Sequence, residues 1–319
     1  MPTLTRRHFL ASAGLAAGAA ALPAARAQAP VAPERAARRV LRFAHLTDTH
    51  VLPSLDSDRG LAEAIRHAQA AKPDFIFFGG DLIMDALKKE KDEVLAQWAV
   101  WQRVLSAELK SEAVFALGNH DAWAWALRGD TARAAMGDGG YGMRLALEQL
   151  GLTDRYHSFD RGGWHFVVLD STHYDAASER GYTARIDEAQ FAWLAADLAR
   201  VPATTPVCVL SHIPILAACT FLDGENEREG EWLVPGAWMH IDARRLKDLF
   251  RQHPNVKLCL SGHVHLVDDV RYLGVRYCCN GAVSGGWWKG PYQEFGPAYA
   301  LVDLYADGTA ENQLVYYRA

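Results

Sequence analysis

Short apolar runs that stop abruptly on polar, metal-competent residues recur five times along this chain, and that recurrence limits the folds open to it. Residues 40–47 lead into Asp48-Thr49-His50, and Phe75–Phe78 leads into Gly79-Gly80-Asp81. Residues 114–117 lead into Gly118-Asn119-His120-Asp121, 206–210 into Ser211-His212, and 256–260 into Ser261-Gly262-His263-Val264-His265. Apolar runs of this length bounded by turn residues read as buried strands. Helical spacing of apolar residues predicts helices over 60–71, 90–109, 187–199 and 241–251. Strands at 156–159 and Trp164–Leu169 flank Asp160-Arg161-Gly162-Gly163, a hairpin signal, and the tail reads as short strands with turns at Leu273-Gly274 and Asp307-Gly308. Strand–helix alternation with a strand-rich end predicts an α/β sandwich with parallel and antiparallel parts. Two segments, 122–141 and 216–240, lack periodicity yet carry Trp123, Trp125, Trp232 and Trp238, which act there either as lids over a site or as plugs that pack the loops down.

In open α/β sheets ligands gather outside the carboxyl ends of the strands, so the five clusters are expected to meet at one edge. What meets there is carboxylates at 48 and 81, an amide at 119 and imidazoles at 50, 120, 212, 263 and 265. Oxygen and nitrogen donors without thiolate suit Mn, Fe or Zn. Asp48 and His50, like His263 and His265, are two apart, a spacing that on an extended strand end turns both side chains to one side. Gly80, Gly118 and Gly262 let the backbone turn or approach a ligand closely. The remaining eight of the 13 histidines, His45, His67 and His157 among them, read as packing or surface residues.

The order DxH, GD, GNHD, H, GHxH resembles that of the calcineurin-like metallophosphoesterase superfamily, and spans Asp48 to His265. The resemblance implies a four-layer α/β/β/α sandwich of two mixed sheets flanked by helices. It implies two metal ions, one held by Asp48, His50 and His265, the second by Asn119, His212 and His263, with Asp81 bridging. A metal-bridging hydroxide would attack phosphorus, and His120 would face the leaving oxygen as acid or charge stabiliser. Some relatives orient that histidine with an aspartate three residues after the bridging one. Here Met84 holds that position, and Asp85, one step on, is the candidate partner. Asp121 reads as a supporting or capping residue, and Trp287-Trp288-Lys289 as either a pocket wall or core packing. Leu82, Ile83 and Met84 stand where purple acid phosphatases carry a tyrosine ligand. The resemblance is nearest to bacterial cyclic-nucleotide and glycerophosphodiester phosphodiesterases, which makes a small phosphodiester the expected substrate. A phosphomonoesterase on the same ligands, or a binding module without turnover, are the alternatives.

Residues 1–27 carry Arg6-Arg7-His8-Phe9-Leu10, an Ala/Gly/Leu run to Leu22, then Ala25-Arg26-Ala27, the pattern of a secretory signal. Paired arginines before Phe-Leu resemble a bacterial twin-arginine signal, which implies the twin-arginine export machinery as a partner, cleavage after Ala27 and a periplasmic location. The apolar run is too short and alanine-rich for a membrane span. Residues 28–39 read as a linker and 40–319 as the catalytic domain. Cleavage removes Arg6, Arg7 and Arg26 and no acid, making the formal net charge of −5 more negative by three, which argues against nucleic acid as a partner. Five cysteines at irregular spacing are no disulfide framework, although a bridge involving Cys219, Cys278 or Cys279 stays open.

Overall fold

The structure, a computed structural model, describes residues 37–318; the signal-peptide reading and all but the end of the expected linker lie outside the described residues. Strands β1 (Arg39–Leu46), β2 (Phe75–Phe78) and β3 (Ala113–Phe115) alternate with helices α1 (Leu55–Ala70) and α2 (Lys91–Glu108). Two helices follow, α3 (Gly129–Met136) and α4 (Arg144–Leu150), then the hairpin β4 (His157–Arg161) and β5 (Trp164–Leu169). A small ribbon, β6 (Thr172–Tyr174) with β7 (Tyr182–Ala184), precedes α5 (Glu188–Arg200) and β8 (Val207–Ser211). A second ribbon, β9 (Glu227–Arg228) with β10 (Glu231–Trp232), precedes α6 (Ala243–Gln252) and β11 (Val256–Ser261). The tail is β12 (Val267–Tyr272), β13 (Val275–Asn280), β14 (Ala298–Tyr305) and β15 (Ala310–Tyr316).

These strands make two mixed sheets, ordered β15-β14-β1-β2-β3 and β12-β13-β11-β8-β5-β4. In the first, β1 pairs parallel with β2 and β2 with β3, while β14 and β15 run antiparallel. In the second, β5, β8, β11 and β13 are parallel and β4 and β12 close the edges antiparallel. Period-two alternation within each strand sends one set of side chains between the sheets and the other against helices. Phe43, Phe75 and Phe77 meet Phe166, Leu210 and Leu258 between the sheets. Ile76 and Phe78 pack outward with Ile65 and Trp98 of α1 and α2, and Val167 and Val209 with Leu194 and Phe250 of α5 and α6. Both faces of the central strands are therefore covered, which is why they read as unbroken apolar runs, and the layers are α/β/β/α.

Helices α3 and α4 and the ribbons β6–β7 and β9–β10 are additions to the sequence reading. Helix α3 forms inside the segment that lacked periodicity, and only Ala135 of its eight residues is buried, so there was little apolar face to detect. Trp123 and Trp125 are plugs, both almost fully buried, the Trp123 indole donating to Lys89 O at 3.1 Å. Trp232 is exposed, whereas Trp238 is half-buried. All five cysteines are buried and unbridged. No helix among the described residues is long and apolar enough to cross a membrane.

Phe166 has no exposed surface and stacks on Phe159 at 4.9 Å while meeting Phe43 and Phe75 edge-on. Phe166→Ala should lower the unfolding free energy in urea by about 3–5 kcal/mol. A loss under about 1 kcal/mol would mean the inter-sheet layer is not packed as described.

Candidate active site

Strands β1, β2, β8 and β11 all end at the same edge, and the chain leaving each one is held by its neighbours. Asp48 N donates to Gly80 O at 3.0 Å, His50 N to Asp81 O at 3.0 Å, and Gly262 N to His212 O at 3.0 Å. The side chains so gathered fall into overlapping sets able to hold a cation: Asp48, His50 and His265; His50, Asp81 and His120; Asp81, His212 and His263. Asn119 stands beside them, buried, on the short 3-10 turn after β3.

The paired donors do not sit on extended strand ends. Asp48 (φ 56°), His50 (φ 42°), Asp81 (φ 51°), His263 (φ 73°) and His265 (φ 58°) all adopt left-handed backbone. That conformation costs a non-glycine residue on the order of 1 kcal/mol or more and persists where surrounding contacts over-determine it. His263 and His265 accordingly fall in different donor sets rather than on one side. Two glycines make room for the carboxylates. A Cβ at Gly118 would stand 2.1 Å from Asp81 Oδ1, and one at Gly262 would stand 2.1 Å from Asp48 Oδ2.

Hydrogen bonds fix the outer half of Asp48, His212, His263 and His265, whereas the outer nitrogen of His50, Nδ1, has no partner. Asp48 Oδ2 accepts from Thr47 Oγ1 at 2.6 Å and His263 N at 2.9 Å, while Asp48 Oδ1 has no partner. His212 Nδ1 faces Gly79 O at 2.8 Å, His263 Nε2 faces Ala237 O at 2.9 Å, and His265 Nδ1 faces Gly285 O at 2.5 Å. A ring nitrogen donating to a carbonyl leaves the other with its lone pair turned inward, the arrangement that supports a metal-ligating imidazole. Asn119 Oδ1, His212 Nε2 and His263 Nδ1 are likewise buried and unpartnered. His50 Nε2 and His265 Nε2 lie 3.0 Å apart, with Asp48 Oδ1 at 3.8 and 3.4 Å from them. Buried polar atoms without partners are rare and costly. So many converging here fit a pair of cations, and a site made of oxygen and imidazole nitrogen fits borderline metals.

Electrostatics divide the rings. Burial pushes His50 and His263 down to about 3, so both rings are neutral and able to ligate. Burial also lowers His212, but the Asp81 and Asp48 carboxylates outweigh it and bring the ring up to about 9. Burial raises Asp48 and Asp81, yet His212 and the rings around it hold both carboxyls below the usual range. Asp81 faces both halves, its Oδ2 lying 3.7 Å from His50 Nε2 and 3.2 Å from His212 Nε2.

The remaining sequence candidates are placed as follows. His120 is half-buried at the cleft, its N–H donating to Asp81 Oδ1 at 2.8 Å and its Nδ1 lying 3.9 Å from Asp85 Oδ1. Asp85 is held by Gln97, which bonds both its N–H and its carbonyl, at 2.9 and 3.0 Å. Asp121 accepts from Leu82 N and Gly118 N, at 2.9 and 2.8 Å, tying the two loops together; burial and Asp81 push it up to about 7. Trp287 faces the cleft, its ring 4.5 Å from that of His265. Trp288 turns away, donating to His50 O at 3.0 Å and packing on Gly60, where no Cβ would fit. Lys289 is exposed and does not line the cleft.

The cleft, about 210 Å³, is also walled by Arg180, Tyr182, Asp223, Trp238 and Tyr292. None of these belongs to a motif; only the tryptophan in the aperiodic 216–240 segment gave a signal. A larger cavity of about 520 Å³ lies beside the amino end of β5. Its His165 has both ring nitrogens occupied, by Asp160 at 2.7 Å and Asp197 at 2.8 Å, so neither is free for a ligand.

Because Gly262 leaves no room for a Cβ against Asp48, Gly262→Ala should weaken binding of Mn or Zn at least about tenfold. The wild-type melting temperature should rise on adding either metal, and the variant's should rise much less at the same concentration. Equal metal-induced shifts in both would remove the close approach from the account.

The chain matches the family model of calcineurin-like phosphoesterases over residues 41–267. It is 24% identical over 286 residues to a 3',5'-cyclic-nucleotide phosphodiesterase of Nostoc sp., covering 84% of this chain and 90% of that one. It is 24% identical over 291 residues to the 3',5'-cyclic adenosine monophosphate phosphodiesterase CpdA of Escherichia coli K12, covering 86% of this chain and 89% of that one. Among solved structures, a dimetal phosphatase from Danio rerio superposes with a TM-score of 0.57 at 15% identity over 88% of this chain and all of that one, a likeness of fold. The motifs, the donor sets and the matched region coincide, and the chain belongs to the calcineurin-like phosphoesterase family, hydrolases of phosphoric ester bonds.

Proposed function

We propose that the protein hydrolyses small phosphodiesters at a two-metal site and does so outside the cytoplasm. Asp48, His50 and His265 would hold one ion, Asn119, His212 and His263 the other, and Asp81 would bridge them, with Mn, Fe or Zn as the candidates. The observation that carries this is that four of these residues, Asp48, Asn119, His212 and His263, each hold a buried polar atom without a partner at the cluster, with Asp81 facing both halves. Bound there, two cations would polarise the phosphoryl oxygens and acidify a water molecule.

The rest falls to the chain. The carbonyls of Gly79, Ala237 and Gly285 keep three imidazoles turned inward. His120 also belongs to a donor set with His50 and Asp81, so it competes as a ligand. We assign it instead as the acid that protonates the departing oxygen, because it is half-exposed on the cleft and has a carboxylate behind it. Asp85, 3.9 Å away, would close to a hydrogen bond as the ring takes up a proton. The preference for diesters is supported by the cyclic-nucleotide phosphodiesterases among the relatives. Export is supported by Arg6-Arg7 and the apolar and Ala-rich stretch up to Ala27.

His120→Ala should retain two metal equivalents and lose on the order of 10²–10⁴-fold in kcat on bis-p-nitrophenyl phosphate; loss of one equivalent would make His120 a ligand. Asp81→Asn should compromise both ions, and a variant with full metal and normal rate would overturn the bridge. Turnover of p-nitrophenyl phosphate without the diester would overturn the substrate class. For export, the processed protein should begin at Gln28 outside the cytoplasm, and replacing Arg6 and Arg7 by lysine should keep it inside; processing indifferent to that change would rule out the twin-arginine route.

A further inference from the structure

One carboxylate in the cleft wall has no place in holding metal or moving a proton. Asp223, from the aperiodic 216–240 segment, is only 7% exposed and lines the same cleft as His50, His120 and His265. Its Oδ1 accepts from Tyr292 Oη at 2.6 Å and from Gln293 Nε2 at 3.2 Å. Its Oδ2 takes part in no hydrogen bond among the described residues and is not sealed from solvent, in a residue that lines the cleft. Tyr292 also stands against Trp287 at 5.3 Å between ring centroids, and both rings stand against His265, at 5.7 and 4.5 Å. An aromatic wall, Trp287 and Tyr292 meeting edge to face, with an acceptor beside it thus adjoins one end of the donor cluster.

A phosphate-processing cleft has every reason to avoid a wall carboxylate, since it repels the anion that must enter. The single cation on the wall, Arg180, is exposed and lies over Trp238 at 5.8 Å. Its field is screened within a Debye length of about 8–10 Å, whereas that of the buried Asp223 is screened much less. Close to the carboxylate an anionic substituent is therefore disfavoured, and one that presents a donor to Oδ2 is favoured. A buried acceptor tolerates poorly an occupant that leaves it unpaired.

Building on the phosphodiesterase reading, we propose that Asp223, braced by Tyr292 and Gln293, selects esters in which one substituent is a neutral ring bearing a hydroxyl or amino donor, stacked on Trp287, and rejects those in which that substituent carries a second negative charge. A hydroxyl or amine on the ring then does two things: it satisfies Oδ2 and it fixes the ring on the aromatic wall, so the effect is on binding of ground and transition states alike.

The test uses three diesters with a common p-nitrophenolate leaving group: phenyl, 3-hydroxyphenyl and 3-carboxyphenyl p-nitrophenyl phosphate, with metal-loaded full-length protein. Wild type should favour the hydroxyphenyl ester over the phenyl ester about tenfold in kcat/KM, and disfavour the carboxyphenyl ester by a similar factor, mostly through KM. In Asp223→Asn the carboxyl penalty should disappear while part of the hydroxyl preference stays; in Asp223→Ala both ratios should fall to about one. Tyr292→Phe, which removes a brace and leaves the carboxylate, should reduce both ratios partially, and decides the matter if Asp223→Ala does not fold. Wild-type ratios within about twofold of one, or ratios unchanged in the variants, would overturn the inference while leaving the phosphodiesterase reading intact. Hydrolysis of none of the three by metal-loaded wild type would overturn that reading and this inference with it.

Discussion

Asp48 and Asp81 sit almost wholly out of water, close enough that the Asp81 charge opposes ionisation of Asp48, with imidazoles as the nearest groups able to carry positive charge. Burying two carboxylates without a fixed counter-charge costs several kcal/mol per group in any folded protein. The surrounding architecture is arranged to tolerate this. Thr47 and the His263 N–H engage one oxygen of Asp48, and the His120 N–H engages one oxygen of Asp81, which leaves the other oxygen of each turned to the centre. His212, held protonated well above the range of a free imidazole by those carboxylates, stands where a cation would otherwise stand. Metal uptake would replace that proton and relieve the unpaired atoms at once, so binding and stability are linked at this cluster.

The backbone carries the cost of gathering these groups. Five donor residues and the adjoining Trp287 and Trp288 have left-handed φ values, and several are fastened by specific contacts. His50 is fastened through its carbonyl to the Trp288 indole, and Trp288 in turn rests on Gly60 of α1. Asp121 binds the loop after β2 to the loop after β3. The helices outside the sheets thereby reach the cluster through single side chains, and the aromatic layer between the sheets keeps β1 and β2 in register with β8 and β11.

Much of this was legible in the sequence, for physical reasons. Strands buried on both faces leave unbroken apolar runs, and the polar residues that end them mark the ligand-binding edge. Phe75–Phe78 and Trp164–Leu169 match the expected strands to the residue, while helices α1, α2, α5 and α6 differ by a few residues at their ends. What failed was anything governed by φ rather than pattern. Asp48 and His50 look like an alternating strand end and are a left-handed turn. Trp287 and Trp288 look like a matched pair and point opposite ways, one to the cleft and one to α1. Asp223, Arg180 and Tyr292 enter the wall from three loops with no spacing that links them. Loop residues are brought together only by tertiary packing, and no local propensity records that.

The account rests on a pair of cations seated between these carboxylates and imidazoles. Anomalous diffraction from crystals of the protein grown with Mn or Zn tests it without reference to any substrate. Two peaks are predicted in the cleft, one beside Asp48, His50 and His265, the other beside Asn119, His212 and His263, with Asp81 between them. A single peak, or none at saturating metal, would contradict the two-metal centre.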